Sequence, residues 1–225
     1  MLPKLTLPIV SPPVIQPIVE TFTKENIIAK DAVLLILKIL LVIALSLIVG
    51  LLLCRRMERR FFRTNRTVIL LLTTAMAIAL SLRFGLSVYT FQGLFLYFLL
   101  LYASLSDLTD RQVADHVSIS LLALSLISVP TVGILSMVLG GVVSAAIQVG
   151  VSMFSGGRYG GADWKISSAC VFLLGWRRGF IGLGIGLLVG ILFTLIQNKL
   201  KKRTTEEGIA LVPFISLGMM GMFFL

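Results

Sequence analysis

Long apolar runs alternate with short polar segments along the whole chain. A helix needs about 20 apolar residues to cross a bilayer, and helices in lipid are apolar on nearly every face. We therefore predict an all-α, polytopic membrane bundle of about eight transmembrane helices. The predicted spans cover residues 32–53, 67–82, 93–106, 117–129, 134–154, 163–176, 180–197 and 209–225. The sixth span is short, and we expect it to be tilted or broken near its glycines.

Basic residues between the spans predict how the bundle is oriented. Six arginines lie between Arg55 and Arg66, and four basic residues lie between Lys199 and Arg203. Because cytoplasmic loops carry an excess of Lys and Arg, both segments are predicted to be cytoplasmic and both chain termini to be outside. Residues 177–178, both arginine, would then lie outside against this rule, but the four-residue cluster outweighs them.

The first 30 residues differ from the rest of the chain. They contain five of the seven prolines and no continuous apolar core that ends in a small-residue cleavage site. We expect residues 1–30 to be an extended or interfacial lead-in on the extracytoplasmic side, with the first span acting as the targeting signal. Residues 31–225 are expected to form a single membrane domain.

The composition supports a membrane protein and argues against other classes. Hydrophobic residues make up 57% of the chain and charged residues 13%, whereas soluble proteins average about 25% charged residues. The net charge of +10 is explained by basic loops that flank spans, since no groove pattern of aromatic and basic residues suggests nucleic-acid binding. Cys54 and Cys170 form no CxxC motif and His116 is the only histidine, so we expect neither a metal site nor a cofactor.

Two of the ten carboxylates have a special place in this layout. Asp107 leaves the third span and Asp163 enters the sixth, so both lie at predicted cytoplasmic span ends. Acidic residues at membrane depth are costly and therefore suggest a function. Two carboxyls a few ångströms apart share one proton, so one can act as a base on water while the other protonates a scissile carbonyl or leaving amine. Taken alone, Asp107 is more simply explained as a solvated helix end.

Glycines precede Asp163 at four positions, Gly156, Gly157, Gly160 and Gly161. They let the backbone turn tightly and approach another chain closely, as an extended substrate strand requires. Such glycines are also typical of turns and of helix packing. We expect the loop 155–161 to be among the most mobile parts of the cytoplasmic face. Gly208 and residues 213–218 are expected to form another wall of the site.

The polar stretch after the third span carries further charges. We interpret Asp110, Arg111 and Asp115 as ordinary loop charges and His116 as an interfacial residue. Within this stretch, only Asp107 is expected to be catalytic.

Three segments resemble motifs of the type IV prepilin peptidase family. Residues 107–115 (DLTDRQVAD) resemble its first aspartate motif, residues 160–166 (GGADWKI) its Gly-x-Gly-Asp-x-Lys-Leu motif, and residues 209–218 (IALVPFISLG) its C-terminal tail. The order, the spacing and the predicted eight-span layout agree as well. Ala162 replaces the second glycine of the second motif, Ala114 stands where the first motif usually has Pro, and residues 210–212 replace Pro-Phe-Gly in the tail.

The resemblance implies a compact, peptidase-only member of this GxGD-type family of membrane aspartyl proteases. Such an enzyme removes the short basic leader from type IV prepilin-like substrates at the cytoplasmic membrane face, cutting after a Gly that precedes the apolar helix of the pilin. Asp107 and Asp163 would be the catalytic pair. The residues implied to bind substrate or to shape the loop are Gly160, Gly161, Ala162, Lys165 and Pro213.

Larger members of the family carry a zinc-binding domain with CxxC pairs and also N-methylate their product. The corresponding segment here is a short arginine run with only Cys54, so N-methyltransferase activity is not expected. The expected partners are prepilin-like proteins and the lipid of the cytoplasmic membrane, and no nucleic acid. Two alternatives remain, namely a proton- or ion-coupled transporter subunit that uses the acid pair as a relay, and a non-catalytic pilus or secretion assembly factor.

Overall fold

The computed structural model describes residues 15–58, 65–154, 160–201 and 210–225. The helices are α1 (Ile15–Glu58), α2 (Arg66–Phe84), α3 (Val88–Asp110), α4 (Asp115–Ser125), α5 (Val129–Val132), α6 (Ile134–Phe154), α7 (Gly161–Leu174), α8 (Trp176–Lys201) and α9 (Val212–Phe224). A 3-10 turn, Leu126–Ser128, joins α4 to α5. No strand occurs within the described ranges, which confirms the predicted all-α class.

In this part of the chain, six helical segments are long and apolar enough to cross a membrane. They are Ala32–Arg55, Arg66–Phe84, Val88–Asp110, Asp115–Val132, Ile134–Phe154 and Trp176–Lys199. Helices α7 and α9 have 14 and 13 residues and are shorter than the span of about 20 residues that a bilayer requires. The fold is thus that of a multi-pass membrane protein, while the count of eight spans and the sidedness of the termini stay predictions.

Helix α1 begins inside the segment that we expected to be an extended or interfacial lead-in. Residues 15–30 are helical, so the extended alternative is wrong for them. After the helix start this stretch contains only Pro17, which lies in the first turn, where a helix tolerates proline. Residues 1–14 lie outside the described part of the chain.

Two spans are longer than the apolar pattern predicts. Helix α3 begins after Ser87, whose side chain accepts a hydrogen bond from the backbone N–H of Thr90, and it ends where Arg111 adopts a left-handed φ of 53°. Helix α8 begins at Trp176, so residues 177–178, expected in an outer turn, lie in its first turn. The apolar pattern marks the part of a helix that lipid or core covers, and the polar residues at its ends continue the helix.

Contacts between helix ends show that α9 runs opposite to α3 and in the same direction as α2. At one end of the bundle, the backbone N–H of Val212 at the start of α9 donates to Asp107 near the end of α3. At the other end, the Nε of Arg83 near the end of α2 donates to the backbone oxygen of Phe224 at the end of α9. We call the first the carboxylate end, because it contains Asp107 and Asp163, and the second, around Arg83 and Phe224, the far end.

Helices α3, α7 and α9 form the centre of the bundle. In α3, 61% of the most apolar stretch is buried, against 28% or less in each of the other five long segments. Residues 166–171 of α7 are all buried. Helix α9 lies so close to α8 that a side chain at Gly218 would overlap the backbone of Gly182 and Gly186. The surrounding helices keep many apolar side chains exposed, as suits contact with lipid, so the acidic residues belong to the central helices.

Candidate active site

Asp107 lies in the last turn of α3 and is only 6% exposed. We predicted that this span would end at Ser106, but the helix continues to Asp110. The turn closes where the backbone N–H of Arg111 donates to the backbone oxygen of Asp107, at 3.1 Å. Asp107 is buried and contacts the start of α9, so the simpler explanation as a solvated helix end is wrong.

The start of α9 supplies the hydrogen-bond donors for the Asp107 carboxyl. The backbone N–H of Val212 donates to its Oδ2 at 3.1 Å, and Leu211 contributes a second backbone hydrogen bond. The first N–H groups of a helix have no partner within the helix, and the helix start carries a partial positive charge. The positive charge of Arg111 also acts on Asp107. Burial disfavours the ionised form of the Asp107 carboxyl, and these backbone donors and the charge of Arg111 offset part of that cost.

Asp163 is the third residue of α7, and Gly160 precedes the helix as its N-terminal cap. The backbone N–H of Asp163 donates to the backbone oxygen of Gly160 at 3.2 Å, and Gly160 makes a backbone hydrogen bond to the Asp163 carboxyl. An acidic side chain at this position commonly reaches back to the capping residue in this way. The Asp163 residue as a whole is half-buried, but its Oδ1 is fully enclosed and has no hydrogen-bond partner among the described residues.

The two carboxyls lie close enough for their negative charges to repel each other. Two such groups do not ionise independently, and one proton held between them relieves the repulsion. The structure therefore brings together the two residues that the sequence singled out, from helices that are distant along the chain. A pair with one shared proton can take a proton from water and give one to a carbonyl oxygen.

Lys165, the other charged residue of the second motif, pairs with a carboxyl outside the Asp107–Asp163 pair. Its Nζ makes an ion pair with Oδ1 of Asp115 at 2.6 Å, and the two side chains are 39% and 70% exposed. Asp115 was interpreted from sequence as an ordinary loop charge, whereas it is the first residue of α4 and links the first aspartate motif to α7. Asp110 is likewise the last residue of α3 and not part of a loop, and it is exposed.

The remaining predicted site residues lie around the pair in different ways. Gly161 is exposed, and a side chain there would meet nothing within 4 Å. Ala162 is half-buried beside Asp163, and Pro213 is half-buried beside Val212. The predictions for the loop glycines at 156 and 157, for the mobility of the loop and for Gly208 fall on residues outside the described ranges.

Within the described part of the chain, no group of three or more His, Cys, Asp or Glu side chains is placed to hold a metal ion. Cys54 and Cys170 are both buried, and the ring centroid of His116 lies 6.0 Å from that of Tyr102.

Comparison with known proteins finds a family match within the chain. The model of the type IV leader peptidase family matches residues 94–195, a stretch that includes Asp107 and Asp163. The tail segment 209–218 lies beyond the matched residues. No curated protein and no solved structure matches the chain. Residues 94–195 are thus similar to the type IV leader peptidase family, and this match agrees with the resemblance noted in the sequence.

Proposed function

We propose that this protein is a membrane aspartyl endopeptidase that removes the short basic leader from type IV prepilin-like substrates at the cytoplasmic membrane face. The family itself implies a peptidase of leader sequences. The observation that supports the aspartyl mechanism is the meeting of Asp107 and Asp163 at one end of the bundle, with Oδ1 of Asp163 enclosed and unpartnered. Such an arrangement costs stability, and proteins keep costly arrangements where they serve function.

The surroundings of the two carboxyls suggest a division of labour. Asp107 receives backbone hydrogen bonds that offset part of the cost of burying its charge, whereas Oδ1 of Asp163 has no donor, so we assign Asp107 the role of the base that takes a proton from water. Asp163 carries the shared proton and gives it to the scissile carbonyl oxygen as hydroxide adds to the carbonyl carbon. When the C–N bond of the resulting tetrahedral intermediate breaks, the proton held by Asp107 passes to the leaving amine. One hydroxyl of the intermediate returns its proton to Asp163 as the carboxylic acid forms, which restores the starting state of the pair. This mechanism needs neither a metal nor a covalent intermediate.

The other predicted site residues have supporting roles in this proposal. Gly160 and Gly161 allow the substrate backbone to approach the pair, since neither brings a side chain into that space. Ala162 is half-buried and its methyl group fits beside Asp163, so its replacement of the usual glycine is compatible with the site. Lys165 holds α7 to the start of α4 through Asp115, and Pro213 shapes the start of α9, from which Asp107 receives its hydrogen bonds.

We further propose eight spans, with α7 and α9 as short ones and the carboxylate end in the cytoplasm. Leu173 and Leu174 at the end of α7 line a cavity of about 170 Å³ at the far end, and α9 reaches Arg83 there, so both helices connect the two ends. In this arrangement residues 31–225 form one membrane domain, and residues 1–30 lie on the extracytoplasmic side of the membrane. Reporter fusions after Arg66 and after Arg203 should both be cytoplasmic. An external reporter at either position would contradict the topology.

The function is tested with the purified chain in liposomes and a synthetic peptide that has a basic leader, a Gly and an apolar helix. We expect a single cut after that Gly, identified by the masses of the two products. N-methylation of the new N-terminus is not expected when S-adenosylmethionine is added. No cleavage of any leader peptide would contradict the proposal and would favour the transporter subunit or the non-catalytic assembly factor.

A further inference from the structure

A second group of buried polar side chains lies between α6 and α7, next to the turn that carries Asp163. It consists of Ser144 and Gln148 on α6 and Ser167 and Ser168 on α7, which are 0%, 5%, 0% and 8% exposed. Polar side chains inside a membrane bundle are costly unless they have partners, and they link helices when they do. The proposed reaction uses none of these four groups, so their burial has another cause.

Gln148 is the centre of this group. Its Nε2 donates to the Oγ of Ser144 at 2.7 Å and lies 3.5 Å from the Oγ of Ser168. Its Oε1 accepts a hydrogen bond from the Oγ of Ser167 at 2.6 Å. One amide group thus connects two successive turns of α6 to two adjacent residues of α7.

The network reaches the backbone of Asp163. The Oγ of Ser167 lies 2.6 Å from the backbone oxygen of Asp163, one turn earlier in α7. A hydroxyl has one proton, so Ser167 donates to Asp163 or to Gln148 at any moment and bridges the two over time. The Asp163 carboxyl has a hydrogen bond from Gly160, in the same turn, and its Oδ1 has no partner, so the position of this carboxyl follows the position of the α7 backbone.

The other contacts between α6 and α7 also favour a fixed distance between these two helices. Gly141 lies one turn before Ser144 on the same face of α6, and a side chain there would overlap Phe172 of α7. Small residues of this kind let two membrane helices approach closely and pack without freedom to slide. Packing at Gly141 holds the later turns of α7, and Gln148 holds the turns nearest Asp163.

We propose that Gln148 is a positioning residue, which fixes the first turns of α7 against α6 and thereby sets the separation of the Asp107 and Asp163 carboxyls. Its effect on cleavage rests on the proposed function, whereas its effect on the separation does not. Replacing Gln148 by Leu keeps the bulk and removes every hydrogen bond of the amide. The first turns of α7 then lose their polar link to α6. As a result, Asp163 samples positions in which its carboxyl is too far from that of Asp107 for the two to act on one water molecule.

A matched control lies at the opposite end of α3. Gln92 is also a buried glutamine, 1% exposed, and its Nε2 donates to Ser128 Oγ at 2.7 Å and to the backbone oxygen of Leu124 at 3.2 Å. Gln92→Leu therefore removes a comparable set of hydrogen bonds far from the aspartates. A general loss of packing would affect both variants, whereas a positioning role affects Gln148→Leu alone.

The first measurement is steady-state cleavage of the leader peptide by the folded fraction of each variant. We expect kcat of Gln148→Leu to fall by about 10- to 100-fold, with KM changed by less than about 3-fold, because small displacements of reacting groups are that costly. Gln92→Leu should keep the wild-type kcat. Ser167→Ala, a milder change in the same network, should lower kcat in the same direction and by less.

The second measurement does not depend on activity. Spin labels at Leu108 and Gly161, both exposed, report the distance between the two aspartate motifs once Cys54 and Cys170 are replaced by Ala. We expect Gln148→Leu, or Ser167→Ala where the first variant does not fold, to broaden or shift this distance, and Gln92→Leu to leave it unchanged. The proposal is overturned by an unchanged distance in the network variants, by the same change in Gln92→Leu, or by a normal kcat where the distance has changed. Should the wild-type protein cleave no leader peptide, the proposed function fails and the distances still decide the role of Gln148.

Discussion

The two ends of the bundle both bury polar groups, but the groups at each end are arranged differently. At the far end, the buried Gln92 donates to Ser128 and to a backbone oxygen of α4, and the exposed Arg83 donates to the last turn of α9. At the carboxylate end, two acidic groups repel each other and one enclosed oxygen has no partner. Polar groups with complementary partners hold helices together, while an arrangement that costs stability points to function.

One atom near the far end needs separate comment. The Oγ of Ser81 is also buried and has no partner among the described residues. An unpartnered neutral group costs about 1–3 kcal/mol, and a buried unpaired charge costs more. The comparison between the ends therefore depends on the charge of the aspartates and on their proximity, and not merely on a missing hydrogen bond.

The largest expected effect comes from removing one carboxyl of the pair. Asp107→Asn and Asp163→Asn should each abolish cleavage in cells that co-express a prepilin, because an amide neither takes a proton from water nor gives one to the carbonyl. Loss should be nearly complete for either change, since the two groups act as one unit. The assay is the size shift of the prepilin, together with a measurement of the amount of folded protein in the membrane.

Asp110→Asn is the matched control for these two variants, because Asp110 is exposed and lies in the same turn region of α3. It should cleave at a rate near that of the wild type. Should Asp110→Asn lose activity while Asp107→Asn keeps it, the wrong acid has been assigned in the first motif. Activity in both Asp107→Asn and Asp163→Asn would rule out the aspartyl mechanism.

A smaller effect is expected from crowding Asp163 without removing it. In Gly160→Ala the new Cβ would lie 2.7 Å from Oδ2 of Asp163, so the carboxyl has to move, whereas the φ of Gly160, −63°, suits alanine. We expect kcat to fall by about 10- to 100-fold with little change in stability, because the carboxyl is displaced from its reacting position.

Gly161→Ala is the control for this crowding, since a side chain there meets nothing within 4 Å. Its kcat, measured on the same folded fraction, should stay near that of the wild type because Asp163 is not crowded, while its KM should rise because the added methyl group hinders the approach of the substrate backbone. Equal losses in both variants would indicate that the substrate strand, and not the Asp163 carboxyl, needs the space at these glycines.

The contrast between the ends also shows what the sequence could predict. The helical class and the pairing of Asp107 with Asp163 followed from apolar periodicity and from the rarity of acids at membrane depth. The apolar pattern placed the start of the sixth span within two residues of Gly161, the observed start of α7. The helix over residues 15–30 was not predicted, because the polar residues in this stretch interrupt the apolar pattern although the helix is continuous.

The partners of the two aspartates were harder to predict. The donor to Asp107 is a backbone N–H of Val212, and backbone groups leave no mark in a sequence. The link between Asp115 and Lys165 joins residues from separate helices, and each looked like an ordinary surface charge. Gln148 did leave a signal, since it is a lone amide in the otherwise apolar or small-residue stretch of α6, and a polar residue inside a span suggests a specific partner.

The smallest expected effect comes from the Asp115–Lys165 ion pair. Both side chains are exposed enough for water to screen them, so the pair contributes at most about 1 kcal/mol, which corresponds to a change of about 5-fold in rate or less. Asp115→Asn and Lys165→Met should each lower kcat within that limit. The charge-swapped double variant, Asp115→Lys with Lys165→Asp, should recover part of the loss.

Comparing the single variants with the charge-swapped variant shows whether Lys165 only links two helices or takes a direct part in the reaction. A loss in Lys165→Met as severe as that in Asp163→Asn, without recovery in the swapped variant, would show that Lys165 acts on the substrate. The measurement is the same cleavage assay, on liposomes at two salt concentrations, since screening weakens an exposed ion pair.

The central claim is that Asp107 and Asp163 together hold the tetrahedral intermediate of peptide hydrolysis. It is tested most directly with a leader peptide whose scissile peptide bond is replaced by a hydroxyethylene group, which places a hydroxyl where that intermediate has one. Binding of this peptide and of its uncleaved parent is measured on the wild-type protein and on the two Asn variants. The account predicts that the wild type binds the analogue at least about 100-fold more tightly than the parent peptide, and that each Asn variant loses this preference. Equal binding of the analogue by the wild type and both Asn variants would contradict it.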